Sequence, residues 1–351
     1  MSRQLPPTPG VVWRAGRFSL LLRPEILCRL ALFLLLLLIL LIFGISHGSL
    51  PIPVSSVGKA LFYPDHSAGG NTTYIIRDVR LPRLLMAAAV GGMLGMAGAA
   101  MQSVTRNGLA DPGLLGVKEG ASIVVLAQIL FFPAVSILWQ PVTGMAGGML
   151  VAALVVLLAR DFSRPGFILA GIGVSWIFAA AIGFFMTTAD VRQVQTVMLW
   201  MAGSLNTVSW PLMLLAVCWA VPAVVLLYIT ARAADIAMLG NTSATGLGVK
   251  LSQLTLLRFI APVILTATCI SCVGSIGFVG LMAPHLSRML FRGGQTALLS
   301  GSAVCGAVLV LLADNIGRLA FAPLQLPAGI IISLFGGPFF LLLLWQRRDK
   351  F

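Results

Sequence analysis

Few side chains in this sequence can do bond chemistry, and they do not converge. The five cysteines, Cys28, Cys218, Cys269, Cys272 and Cys305, all lie in or beside apolar runs. Cys269 and Cys272 have the spacing of a metal or redox pair, but no second pair or histidine cluster accompanies them, so they read as small buried thiols. His47, His66 and His285 are scattered, and His285, with Arg288 close by, reads as a structural histidine. Walker A, HExxH, GxSxG and haem-ligand patterns are all missing. No catalytic residue and no metal site emerges. What stands out instead is arginine, at Arg77, Arg80 and Arg83, and again at Arg318, four residues after Asp314.

The elements that must position these groups are membrane spans. The chain has 351 residues, 59% hydrophobic and only 9% charged, with a mean hydropathy of +1.01. Soluble domains carry roughly 25% charged residues, so this chain lacks the charge to cover a water-facing surface. The predicted fold class is all-α and polytopic. The net charge of +13, from 23 Lys and Arg against 10 Asp and Glu, would suggest nucleic acid in a soluble chain. In a membrane protein, basic residues hold loops on the cytoplasmic side and sit against anionic lipid, so no nucleic-acid partner is expected.

Ten spans are predicted, at about 26–46, 84–102, 114–132, 142–158, 167–186, 211–230, 259–273, 278–289, 297–312 and 327–344. The first could be a signal peptide, but its apolar run is long and no small-x-small cleavage site follows. The eighth is short and broken by Pro284. The expected organisation is a loose cytoplasmic tail over 1–25, one ten-helix domain over 26–346, and a basic cytoplasmic tail over 347–351. The 47–79 stretch is too polar to span. Trp200 and Trp210 fit an interfacial belt. Loops carrying Arg106, Arg160 with Arg164, Arg232 with Lys250 and Arg258, and Arg288 with Arg292 share a side with both tails, which places both termini in the cytoplasm.

In the second span, Gly91, Gly95 and Ala99 fall four apart on one face, the pattern of close helix contact in lipid. Arg77, Arg80, Arg83 and Arg318 fall on the outer side, against the topological bias. Two readings stand together: local pairing with Asp78 and Asp314, or a basic rim that docks an acidic partner. Glu119 and Asp314 lie near span ends rather than mid-membrane, so the chain lacks the mid-membrane ionisable groups of an ion-coupled carrier. Its energy should come from a partner at the cytoplasmic face. The 6–7 connection, about 235–250, is the natural receiver; its Asn, Thr, Ser and Gly residues suit a short helix, and an ordinary surface loop is the other reading.

These stretches resemble a known family. Arg80-Leu81-Pro82-Arg83, Gln102, Thr105 to Val117 and Gly120-Ala121 form one signature, and Gly277 to Arg288 a second. Leu311 to Asp314 with Arg318, and Leu326 to Ile330 with Gly336 to Phe339, complete the set. Together they are similar to the FecCD-type permeases, the membrane subunits of bacterial type II ABC importers for ferric siderophores, haem and cobalamin. The resemblance implies ten spans in the inner membrane, a second permease subunit, identical or homologous, two ATPase subunits and a periplasmic substrate-binding protein. It implies no cofactor on this chain, with ATP and Mg on the ATPase partner.

Residue by residue, it assigns binding-protein docking to Arg80, Arg83 and Arg318. ATPase coupling falls to Leu239, Gly240, Asn241, Ala244, Leu247 and Gly248, with Asn241 standing where an acidic residue is common. The cytoplasmic gate falls at Ser163, Arg164, Pro165 and Gly166, where Arg164 and Pro165 replace the hydroxyl pattern of some relatives. Gly108 stands where relatives usually have proline, so that turn should be looser. The expected function is uptake of an iron–siderophore complex by a non-enzymatic permease subunit. Haem or cobalamin as cargo, and an ion-gradient-driven carrier, are the alternatives.

Overall fold

The computed structural model describes residues 11–15, 18–22, 24–48, 50–62, 70–132, 134–136, 139–159, 165–322 and 324–347. The N-terminal segment, expected to be a loose tail, contains a hairpin. Strands β1 (Val11–Ala15) and β2 (Phe18–Leu22) pair antiparallel, with Val11 opposite Leu22 and Ala15 opposite Phe18. Their backbone groups are thereby paired locally.

The remaining elements are helical. After α1 (Pro24–Ser46) come two short helices, α2 (Val54–Phe62) and α3 (Gly70–Tyr74). A π-helical turn, Ile75–Arg80, carries α3 into α4 (Leu81–Thr105). A 3-10 turn, Pro112–Leu115, precedes α5 (Val117–Phe131), and α6 (Gln140–Ala159), α7 (Pro165–Thr188), α8 (Val191–Met201) and α9 (Trp210–Ile229) follow. Two short helices, α10 (Ala231–Ala237) and α11 (Asn241–Gly246), lead to α12 (Leu251–Val273). The chain ends in α13 (Val279–Leu290), α14 (Gln295–Leu319) and α15 (Ala328–Arg347).

Each expected span coincides with a helix: α1, α4, α5, α6, α7, α9, α12, α13, α14 and α15. Among the described residues, seven helical stretches are long and apolar enough to cross a membrane: Pro24–Ser46, Asn71–Thr105, Gln140–Ala159, Leu169–Thr188, Trp210–Ile229, Leu251–Val273 and Gln295–Leu319. Helices α5 and α13, at 15 and 12 residues, fall short of the roughly 20 residues a bilayer asks for. The apolar part of α15, Ala328–Leu343, is also short. The break expected at Pro284 does not occur: α13 runs through it, as α9, α12 and α15 run through Pro222, Pro262 and Pro338. Neighbouring helices and local adjustments allow such interruptions inside a bundle.

The core is built around α4, which packs against α14, α12 and α13. The glycines explain how closely. A Cβ placed on Gly91 would fall on the Gly306 carbonyl of α14, and one on Gly95 would fall on the Ser302 carbonyl. One on Gly98 would fall on the Gly280 carbonyl of α13. Backbones in contact at these points leave room only for hydrogen, as the small-residue pattern predicted. Met86 and Met101 are fully buried in the same helix, so these methionines fill the core.

Candidate functional site: two polar clusters on one helix pair

Helices α4 and α14 carry a cluster of charged and polar groups at each end. At one end stand the arginines singled out from sequence. Arg83 grips Asp314 with two nitrogens, Nη2 donating to Oδ1 at 2.8 Å and Nε to the same oxygen at 3.0 Å. Its Nη1 donates to Gln325 Oε1 at 3.0 Å. Arg318 faces the other carboxylate oxygen, with Nε 3.5 Å from Asp314 Oδ2. Asp314 is completely buried, so the low-dielectric surroundings leave its charge dependent on these two guanidinium groups.

Arg80 and Arg318 are not on the surface: they are 5% and 7% exposed. Both are turned onto the end of α1. Arg80 donates to the carbonyls of Ile45 and Leu50, at 2.5 and 2.6 Å. Arg318 Nη2 donates to the Gly44 carbonyl at 2.9 Å and to Asn315 Oδ1 at 2.8 Å. The last carbonyls of a helix have no partner within it, and its C-terminus carries partial negative charge. Helix α1 has no basic residue in its own last turn, so arginines from α14 and from the turn before α4 supply the cap. The three expected docking arginines therefore gather in one cluster, and Arg83 is the most exposed of them, its side chain 12% in contact with solvent against 6% for Arg318.

At the opposite end the chemistry is hydrogen bonding to an amide. Gln295, the first residue of α14, is 6% exposed. Its Oε1 accepts from Arg258 Nη2 of α12 at 2.8 Å and from Ser103 Oγ of α4 at 2.9 Å. Its backbone N–H donates to Asp235 Oδ1 of α10 at 2.7 Å, which puts a carboxylate on the positive end of α14. Gly294 makes room for that contact, since a Cβ there would meet the Asp235 carboxylate. Sequence reading passed over this glutamine; an Asp on one helix has no sequence mark tying it to the N-terminus of another.

The expected short coupling helix is present as α11. Gly240 precedes it at φ +111° and Gly248 follows at φ +83°, left-handed positions that suit glycine. Leu239 and Leu247 flank it at 68% and 63% exposure, while Ala244 is buried beneath. Asn241 is exposed and pairs within the chain. Its Oδ1 accepts from Arg106 Nη2 at 2.6 Å, and the same nitrogen donates to the Ala237 carbonyl at 3.1 Å. Arg106, itself at φ +50° where α4 ends, thus fastens α10 and α11 to α4.

The two strongest sequence signatures also meet. Gln102 Nε2 donates to the Gly280 carbonyl at 3.2 Å, and Arg288 Nη1 donates to Gln102 Oε1 at 2.6 Å. Asp111 Oδ1 accepts from Gly113 N–H at 2.7 Å, capping the turn after α4, and its carboxylate also fills the space a Gly280 side chain would need. Burial pushes the Asp111 carboxyl above the ordinary range, against the opposing pull of the Gly113 N–H and Lys118. Asp111 also lines a cavity of about 430 Å³ with Lys118, Glu119, Ser175, Trp176 and Phe278. Of the expected gate, Ser163 and Arg164 lie outside the described residues. Pro165 and Gly166 open α7, with Gly166 exposed and open space around it. Among the described residues no group of His, Cys, Asp and Glu could hold a metal ion.

Comparison with known proteins agrees with this anatomy. The chain is 33% identical over 330 residues to the iron-uptake system permease protein FeuC of Bacillus subtilis, covering 91% of this chain and 97% of that one. It is 33% identical over 325 residues to the hemin transport system permease protein HmuU of Yersinia pestis, covering 91% and 96%. A solved structure described as an inward-facing, metal-chelate type ABC transporter superposes with a TM-score of 0.79 at 28% identity, covering 92% of this chain and all of that one. Residues 36–346, nearly the whole helical body with both polar clusters, match the FecCD transport family, and the chain belongs to that family.

Proposed function

We propose that this chain is the permease subunit of an ABC importer that takes up a ferric siderophore across a bacterial cytoplasmic (inner) membrane. The observation that carries the reading is the coupling segment. Helix α11 is fastened to α4 by Arg106 but leaves Leu239 and Leu247 exposed, an apolar surface that calls for a partner. Two ATPase subunits bind there, and ATP with Mg is held on them. A second permease subunit, identical or homologous, completes the path, which opens at one face and then the other as the ATPase pair closes.

In this reading all ten apolar helices span, and both termini are cytoplasmic. The shorter α5, α13 and α15 do so within the bundle, where neighbours satisfy what a lone helix could not. The turn at 163–166 is the cytoplasmic gate. A periplasmic binding protein docks over the outer arginine cluster through acidic side chains. Arg83 makes the direct contact, while Arg80 and Arg318 hold the platform by capping α1. The ferric-chelate cargo follows from the likeness to FeuC and to the metal-chelate type transporter. The likeness to HmuU favours haem as a second reading.

Cellular uptake separates the two. Deleting the gene should abolish uptake of radioiron presented as a ferric hydroxamate or ferric catecholate, and leave growth on haem iron unchanged. Loss of haem utilisation with intact ferric-chelate uptake would favour the haem reading and reject the first.

A further inference from the structure

Besides the Arg106 contact at the end of α4, both flanks of the coupling segment meet the helical core at one residue, Gln295. Helix α11 is flanked by α10 before it and α12 after it. Asp235 of α10 accepts from the backbone N–H of Gln295, and Arg258 of α12 donates to its side-chain oxygen. That oxygen also accepts from Ser103 of α4. Arg258 is 1% exposed and its Nη1 reaches Thr230 Oγ1, at the join of α9 and α10, at 3.4 Å. Both flanks of α11 are therefore hydrogen-bonded to Gln295, the α12 bond buried and costly to exchange for water, the α10 bond part-buried.

The residue they grip belongs to a closely packed helix pair. Helices α4 and α14 meet backbone to backbone at Gly91 and Gly306 and at Gly95 and Ser302. They are clasped at one end by Arg83 and Asp314 and at the other by Ser103 and Gln295. Close-packed interiors transmit displacement rather than absorb it. A shift of α11 against its partner would reach the arginine cluster through this pair.

We propose that Gln295 is a positioning residue of the transport cycle, the point at which both flanks of the coupling segment take hold of the α4–α14 pair and move it as one body. The proposal rests on the importer reading above. It assigns a task to a glutamine that touches neither cargo nor ATP.

The test uses the complete importer with its ATPase subunits, in a Cys28→Ser, Cys218→Ser background. Nitroxide labels are placed at the exposed positions Val79, in the turn leading into α4, and Val191, in α8. The distance between them is measured without nucleotide and after trapping with MgATP and vanadate. The wild-type distance should shift. Gln295→Met keeps the backbone N–H and the length but removes the acceptor, so the shift should be reduced. Gln295→Glu, which still accepts from Arg258 and Ser103, should restore it. Combining Gln295→Met with Asp235→Ala removes both grips on Gln295 and should reduce the shift below that of Gln295→Met alone, leaving the Arg106 contact of α4 in place.

A wild-type shift in assembled Gln295→Met would overturn the proposal, as would a nucleotide-binding wild-type complex that shows none. If the double variant does not assemble, the contrast between Met and Glu at 295 decides, and equal shifts in the two would reject it. The importer reading is tested separately by uptake in the wild-type complex.

Discussion

Helices α4 and α7 are both apolar and both rich in glycine, yet they behave as opposites. The most apolar window of the α4 stretch is 83% buried, while that of α7 is 17% buried. Gly91, Gly95 and Gly98 of α4 each meet a neighbouring carbonyl, whereas Gly166, Gly173 and Gly183 of α7 face open space. Trp176, Ile177 and Phe184 of α7 are exposed at 74%, 70% and 66%. The same residue type therefore serves two ends. In α4 glycine is a consequence of packing inside this chain; in α7 the small residues belong to a surface that lipid or another subunit covers. Tight packing lies in the first helix and its partner α14, while the second leaves its large apolar side chains uncovered within this chain.

Substitutions can break this contrast in order of size. The largest effect is expected at Asp314. Changing it to alanine leaves Arg83 and Arg318 without their buried counter-charge and should cost about 3–5 kcal/mol, seen as a collapse of thermal stability in detergent. Gly95→Val comes next, forcing side-chain carbons onto the Ser302 carbonyl, at about 3 kcal/mol by the same assay. Retention of wild-type stability by either variant would deny that α4 and α14 are a tightly joined pair. Gly173→Ala, in open space, should change the stability of the isolated chain by less than about 0.5 kcal/mol. Destabilisation there would show that α7 is packed within the chain after all.

Arg83→Glu sharpens the comparison between the exposed and the buried arginines. It should weaken capture of the binding protein at low salt more than at high salt, because charge contacts at a rim are screened. An unchanged affinity would remove Arg83 from the docking surface.

A small, pH-dependent effect is expected at Asp111. Burial raises its folded carboxyl above the unfolded value, so the native state holds the proton more tightly. Its contribution to stability is present at low pH and declines as pH rises from the ordinary carboxylate range through the folded pKa. Asp111→Asn keeps an acceptor for the Gly113 N–H and should flatten this dependence, with a stability change within about 1 kcal/mol at neutral pH. The midpoint of unfolding against pH checks it.

Much of this architecture was legible in the residues. Apolar runs marked every long helix, because lipid or a helical core demands them. The four-residue spacing of Gly91, Gly95 and Ala99 marked the seam with α14. The capping residues and glycines of 235–250 marked the short α11. What stayed hidden depended on backbone atoms of distant segments. Arg80 and Arg318 looked like surface charges because their acceptors are carbonyls of α1, which no side chain announces. A signal did exist: α1 ends without a basic residue of its own, so a cap had to come from elsewhere. Gln295 was hidden for the same reason, since three helices reach it from separate parts of the chain. The pairing of Asn241 with Arg106, 135 residues apart, likewise needed the fold.

The central claim is that this chain carries cargo with energy supplied by a partner. The direct measurement is uptake of a radioiron-loaded ferric chelate into proteoliposomes, with the binding protein outside and the permease and ATPase subunits in the membrane. Uptake should require ATP at the ATPase side and be indifferent to a proton or sodium gradient. Uptake by this chain without the ATPase, driven by an ion gradient, would contradict the account.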